Sequence, residues 1–140
     1  MNNAGYRVYK QTNILTADEK RLIILCYEEA INSLRSAKTN YLKENYEAKG
    51  QAVQKALDII NELRVALNFE KGGIIAKNLD LIYGFLIRHI LDADIKKDIK
   101  GLEQAASILS ELKSAWEQVF YGNKSNQSLY ASETQGSLIS

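Results

Sequence analysis

A single histidine, His89, and a single cysteine, Cys26, are the side chains in this chain best suited to ligating a metal or carrying a covalent step. Di-metal chemistry among helices uses inward glutamates together with Glu-x-x-His pairs, and the residue three before His89 is Leu86. That pattern fails. A cysteine–histidine nucleophile pair needs Cys26 and His89 to meet on separate helices, with a third group orienting the imidazole. Cys26 falls on an apolar helix face, where a thiol behaves as a small hydrophobe. His89 beside Arg88 reads as a border residue satisfied by a carbonyl or water. Gly72-Gly73 ahead of a helix suggests a phosphate cradle, but no Gly-x-Gly-x-x-Gly is present and a turn explains the pair. Small all-helical mutases bury arginines and a glutamate to hold a dianion. Arg64 and Lys113 lie near stripe edges here, without a basic pair and carboxylate on one inward face. The residues name no catalytic site, metal site or cofactor.

Composition narrows the remaining classes. The formal net charge is +1, so no bulk field attracts nucleic acid or an anionic membrane. Lys96, Lys97 and Lys100 are interspersed with Asp92, Asp94 and Asp98, as in a solvated helix junction. Cys26 alone cannot close an internal disulfide. The start, MNNAGYRVYK, lacks the apolar core of a secretory signal, and the longest apolar runs are too short to span a bilayer. The expectation is a soluble, cytoplasmic protein with no membrane insertion. The chain has no proline at all, which suits a few long helices on short links.

Those helices can be placed from caps and breakers. Residues 1–15 read as a flexible arm carrying Tyr6, Val8, Tyr9, Ile14 and Leu15. Thr16-Ala17-Asp18-Glu19 is a capping box, opening a first helix from about Ala17 to Tyr41. A second spans about Tyr46 to Leu67, with Gly50 as a weak point. Phe69 to Gly73 reads as a connection whose glycines permit φ > 0. A third helix covers about Ile74 to Ala93. A fourth starts after Asp98, a plausible N-cap, and ends near Phe120. From residue 122 the chain is rich in Ser, Asn, Gln and Gly, and a disordered tail is expected. The fold class is all-α: an antiparallel up-down four-helix bundle over residues 16–121, with the arm before it and residues 122–140 as tail.

Residues placed at 100° intervals show how wide each apolar stripe is. The second helix has one stripe (Val53, Ala56, Leu57, Ile60, Leu63, Leu67), and so does the fourth (Leu102, Ala105, Leu109, Leu112, Trp116, Val119, Phe120). The third is wider. Ile75, Leu79, Ile82, Leu86 and Ile90 form its core stripe, Ile74, Leu81 and Phe85 widen one side, and Tyr83 and Ile87 the other. Together they span roughly 240°, against the ≳100° of a core-facing helix. On the first helix, Leu22 and Leu25 project away from the main face of Ile23, Cys26, Tyr27, Ala30, Ile31 and Leu34. The arm, a second copy or a partner could cover this surplus, and burial all round within a small domain is the plain alternative.

Several motifs then resemble one family. Tyr9-Lys10-Gln11, Ile14 and Thr16-Ala17 lead into Leu22-Ile23-Ile24-Leu25-Cys26-Tyr27-Glu28. Leu67-Asn68-Phe69-Glu70-Lys71-Gly72-Gly73 is followed by Ile75-Ala76-Lys77-Asn78-Leu79 and Ile82-Tyr83. Ala93-Asp94-Ile95-Lys96-Lys97-Asp98 and Ala115-Trp116 complete the set. Over about residues 6–120 this is similar to the flagellar secretion chaperone FliS family. Asp18-Glu19, Cys26 and Glu29 depart from its pattern. The resemblance implies a chaperone without ATP chemistry that binds the C-terminal segment of flagellin, prevents premature polymerisation and keeps the client export-competent. It also implies the flagellar anti-sigma factor and the export gate as further partners in some members. Candidate partner-binding residues are Leu22, Leu25, Asn78, Leu79, Tyr83 and Leu86, with Tyr9 and Ile14 as an N-terminal lid. Dimerisation through the same surface stays open. A helical adaptor for another amphipathic partner is the main alternative function.

Overall fold

The computed structural model describes residues 16–130, with side chains as far as residue 122. The described residues form four helices: α1 (Ala17–Leu42), α2 (Tyr46–Val65), α3 (Phe69–Lys96) and α4 (Ile99–Tyr130). Links of two or three residues leave room only for reversal, so consecutive helices run antiparallel. α1 packs against α2 and α4, and α3 against the same two, while the diagonal pairs show no Cα approach within 8 Å. The array is a square, as an up-down bundle requires.

The helix starts are fixed locally. Thr16 Oγ1 accepts from the Glu19 amide at 3.1 Å, and Glu19 Oε1 accepts from the Thr16 amide at 2.9 Å, completing the capping box. Asn45 caps α2 and Asn68 caps α3 by accepting from amides three residues on. Asp98 Oδ1 accepts from the Gly101 amide at 3.1 Å. At the end of α3, Lys97 adopts the left-handed conformation (φ 57°) and the Asp98 amide donates back to the Ala93 carbonyl at 2.8 Å. The turn into α4 is tight. A Cβ on Gly101 would lie 2.7 Å from Cβ of Ala93, so only glycine fits there.

Two boundaries differ from the sequence reading. Phe69 to Gly72 are wound into helix, because the Asn68 cap and the Gly72 amide on the Asn68 carbonyl (2.7 Å) close a turn. Gly73, at φ 54° and ψ −130°, then breaks the helical path before it resumes. That conformation belongs to glycine. α4 runs on to Tyr130 instead of stopping near Phe120; Gly122 lowers helix propensity without ending a helix, and no proline follows. The rest of the expected tail lies outside the described residues, as does the arm.

Tyr27, Leu34, Ile60, Tyr83, Leu86, Ile90 and Leu109 are fully buried at the centre. Ala30, Ser33 and Ala37 on α1 are also buried, and such small side chains let α2 and α4 approach closely. α3, which buries Leu79, Tyr83, Leu86 and Ile90 along with the small Ala76, Gly84 and Ala93, stands further off both neighbours.

Candidate functional site

The tyrosine hydroxyls of Tyr27 and Tyr83 hydrogen-bond each other across the diagonal from α1 to α3, and Trp116 Nε1 donates to Tyr27 at 3.0 Å. This network corrects the sequence reading of Tyr83. Its polar tip finds partners inside the bundle, so the whole ring sits in the core at no exposure. The buried face of α3 is therefore Ala76, Leu79, Tyr83, Gly84, Leu86, Ile90 and Ala93. Leu79 and Leu86, which the sequence places in the core stripe as well as among the partner-binding candidates, are core, and Ile75, read as core, is exposed.

Rotating the core toward Tyr83 leaves the opposite flank of α3 in water. Ile74 and Leu81 are each 69% exposed and Phe85 45%. Asn78, also exposed, lies between Ile74 and Ile82 at i, i+4 spacing on the same flank. Because α3 stands off α4, this flank borders a groove of about 390 Å³ lined by Leu81, Ile82, Phe85, Ile108, Leu112 and Glu111. Five of the six are apolar. Phe85 stacks on His89, ring centroids 5.3 Å apart, which holds the Phe85 ring along the helix. Two larger grooves run beside α1, of about 550 Å³ toward α4 and about 500 Å³ toward α2. The first mixes serines, Thr39 and charged side chains with Leu34, Leu102 and Ala106, the second is lined mainly by asparagines, serines, Gln51 and charged side chains, and each carries a cross-groove pair, Lys38 with Glu103 and Lys55 with Glu29. Water suits them, whereas the α3–α4 groove is the one that gains from being covered.

Leu22 and Leu25 are exposed on α1, as their wheel positions indicated. α1 is diagonal to α3, so the structure does not bring Leu22 and Leu25 into the α3–α4 groove. They form a separate outward patch. Tyr9 and Ile14 lie outside the described residues.

The titratable groups show structural roles. Cys26 is half-buried against the core; burial pushes its thiol up, and Glu62 and Glu29 add to the shift. His89 Nε2 is buried and has no protein hydrogen-bond partner among the described residues. Arg64 donates through Nε to Asp80 at 2.7 Å, a bond that raises its guanidinium further, and lies across Gly84, where a Cβ would meet Nη2 at 3.1 Å. Burial pulls the Lys113 ammonium down, but Glu117 and Glu28 outweigh it and hold the group above the usual lysine range. Each basic group thus ties helices together or braces its own. Among the described residues, no three His, Cys, Asp or Glu side chains group as a metal site, and no helix is long and apolar enough to cross a membrane.

A capped, proline-free bundle with an open apolar groove is compatible with many binding proteins, and comparison with known proteins narrows it. The sequence profile of the family described as Flagellar protein FliS matches residues 1–123. The chain belongs to the FliS family. It is 36% identical over 113 residues to the flagellar secretion chaperone FliS of Vibrio cholerae, covering 81% of this chain and 83% of that one. It is 33% identical over 121 residues to the flagellar secretion chaperone FliS of Salmonella typhimurium, covering 83% and 90%. With the FliS protein of Bacillus subtilis identity is 24% over 122 residues, covering 87% and 90%. The FliS match runs through Tyr27, Tyr83 and Trp116, the core network, and through both flanks of the α3–α4 groove.

Proposed function

We propose that this chain is a cytoplasmic export chaperone, not an enzyme, which holds the C-terminal helical segment of flagellin, prevents its early polymerisation and keeps it export-competent. The observation that carries the proposal is the unpartnered apolar flank Ile74, Leu81 and Phe85 beside the α3–α4 groove, in a member of a family whose relatives are named flagellar secretion chaperones. Fully burying a leucine, isoleucine or phenylalanine side chain releases about 1.5–3 kcal/mol, so covering these half-exposed residues yields a few kcal/mol. A segment disordered alone and helical when bound spends part of that on ordering, which keeps the complex releasable.

In this reading Asn78 hydrogen-bonds the client within the apolar flank, and Leu22 and Leu25 take a further stretch of it on the far side of the bundle. Leu79, Tyr83 and Leu86 act from inside, by setting how far α3 stands off α4. Tyr9 and Ile14 of the arm cover apolar surface while no client is present. The flagellar anti-sigma factor and the export gate are further partners for the same chain. Phe85→Glu tests the groove: far-UV circular dichroism should be unchanged, because the ring is not core, and flagellin binding should be lost. Normal binding by the folded variant would overturn the assignment of the groove.

A further inference from the structure

Glu111 is the one charged residue lining the α3–α4 groove. Other acids on that helix are engaged, Glu103 by Lys38 and Glu117 by Lys113, but Glu111 makes no ion pair among the described residues. Open to water, its carboxylate is well solvated and needs no partner. A helix lying in the groove removes that water, and a carboxylate dried without a partner opposes binding. The groove therefore favours an occupant that brings its own cation to this point.

Taking the client-in-groove reading as its basis, we propose that Glu111 sets the register of the bound segment. The groove accepts an amphipathic helix whose apolar stripe fills the space between Phe85 and Leu112, and which carries a lysine or arginine one turn along at the stripe's edge. The apolar walls supply attraction that is nearly blind to sliding by one turn. A single charge at one point is not blind to it, which is how polar groups commonly fix helix register. An acidic residue at the same place is rejected by like-charge repulsion. The client class is thus an apolar helix with a basic flank, and helices of equal hydrophobicity with an acidic flank are excluded.

The test uses the full chain and intact flagellin, with affinity measured at low salt and at about 0.5 M salt, where screening shortens to about 4 Å. Glu111→Gln should weaken binding about threefold and Glu111→Lys about tenfold at low salt, with both differences shrinking at high salt. Changing the basic residues of the flagellin C-terminal segment to glutamate, one at a time, should yield one variant that restores binding to Glu111→Lys. Low-salt affinities of both Glu111 variants within twofold of the parent would overturn the proposal. If Phe85→Glu still abolishes binding in that case, the groove reading stands and only the register device falls. If Phe85→Glu is also silent, both fall together.

Discussion

Trp116 on α4 donates its indole N–H to the hydroxyl of Tyr27 on α1 at 3.0 Å, and that hydroxyl is bonded in turn to Tyr83 on α3. Three helices are thereby registered at one buried polar point. Two diagonal helices that share no backbone contact are joined through it. The same bond decides which flank of α3 faces water, because with Tyr83 held inward Leu81 and Phe85 must face out.

Removing the shared hydroxyl should therefore cost more than removing its neighbour. Tyr27→Phe strips Trp116 Nε1 and Tyr83 of this common partner, and we expect a loss of about 2–3 kcal/mol. Tyr83→Phe leaves the Trp116 bond in place and should cost about 1 kcal/mol. Urea unfolding followed by circular dichroism measures both. Equal costs would show that the Trp116 bond contributes nothing to stability.

Gly50 and Gly73 should respond to alanine with opposite sign. Neither has an atom within 4 Å of a built Cβ, so backbone conformation alone decides. Gly50 is inside α2, and Gly50→Ala should stabilise by about 0.5–1 kcal/mol through helix propensity. Gly73 sits at φ 54°, and Gly73→Ala should destabilise by about 1–3 kcal/mol. Thermal melts of the two variants are the check, and a shift of the same sign in both would contradict the backbone assignment of Gly73.

These contrasts also show what was readable in the sequence. The capping box at Thr16, the Asp98 cap, the four helices and the outward setting of Leu22 and Leu25 follow from local rules that tertiary packing had no reason to override. The surplus on α3 was legible too, since an apolar arc of that width cannot all face one core. Which members of it are buried was not legible, because the choice depends on where the Tyr83 hydroxyl finds a partner, and Tyr27 and Trp116 lie 56 and 89 residues from their bonding mates in sequence. Ile108, Leu112 and Glu111 were missed as groove residues for a related reason. On its own wheel α4 looks like an ordinary bundle helix, and only the standoff of α3 opens its flank. A length effect hid the end of α4, where a polar composition resembles a tail although nothing in it breaks a helix.

The Cys26 thiol should be slow to react. Burial, with Glu62 and Glu29 beside it, raises its pKa, so less thiolate is present at neutral pH than in the unfolded chain. The folded state keeps the proton longer, so the contribution is full below the ordinary thiol pKa and is lost as pH rises through the raised value. Titrating the thiol with a chromogenic disulfide should show slower modification in the folded chain than in urea, with a higher pH midpoint. Equal rates in both would mean that Cys26 is open to solvent.

Leu25→Glu probes the second apolar patch. Leu25 lies off the core face of α1 and is 38% exposed, so helicity should be normal and stability should fall by less than about 1 kcal/mol. Flagellin affinity should drop, though less than for Phe85→Glu, because Leu25 lies on the helix diagonal to the groove. A variant that unfolds would show that Leu25 contributes to the core. One that folds and binds normally would confine the client to the α3–α4 side.

The central claim is that this chain holds the C-terminal segment of flagellin, and co-purification tests it most directly. The full chain is mixed in parallel with intact flagellin and with flagellin lacking that segment, and the recovered complex is quantified on one gel. The account predicts recovery of the intact protein and none of the truncated form. Equal recovery of the two would contradict it.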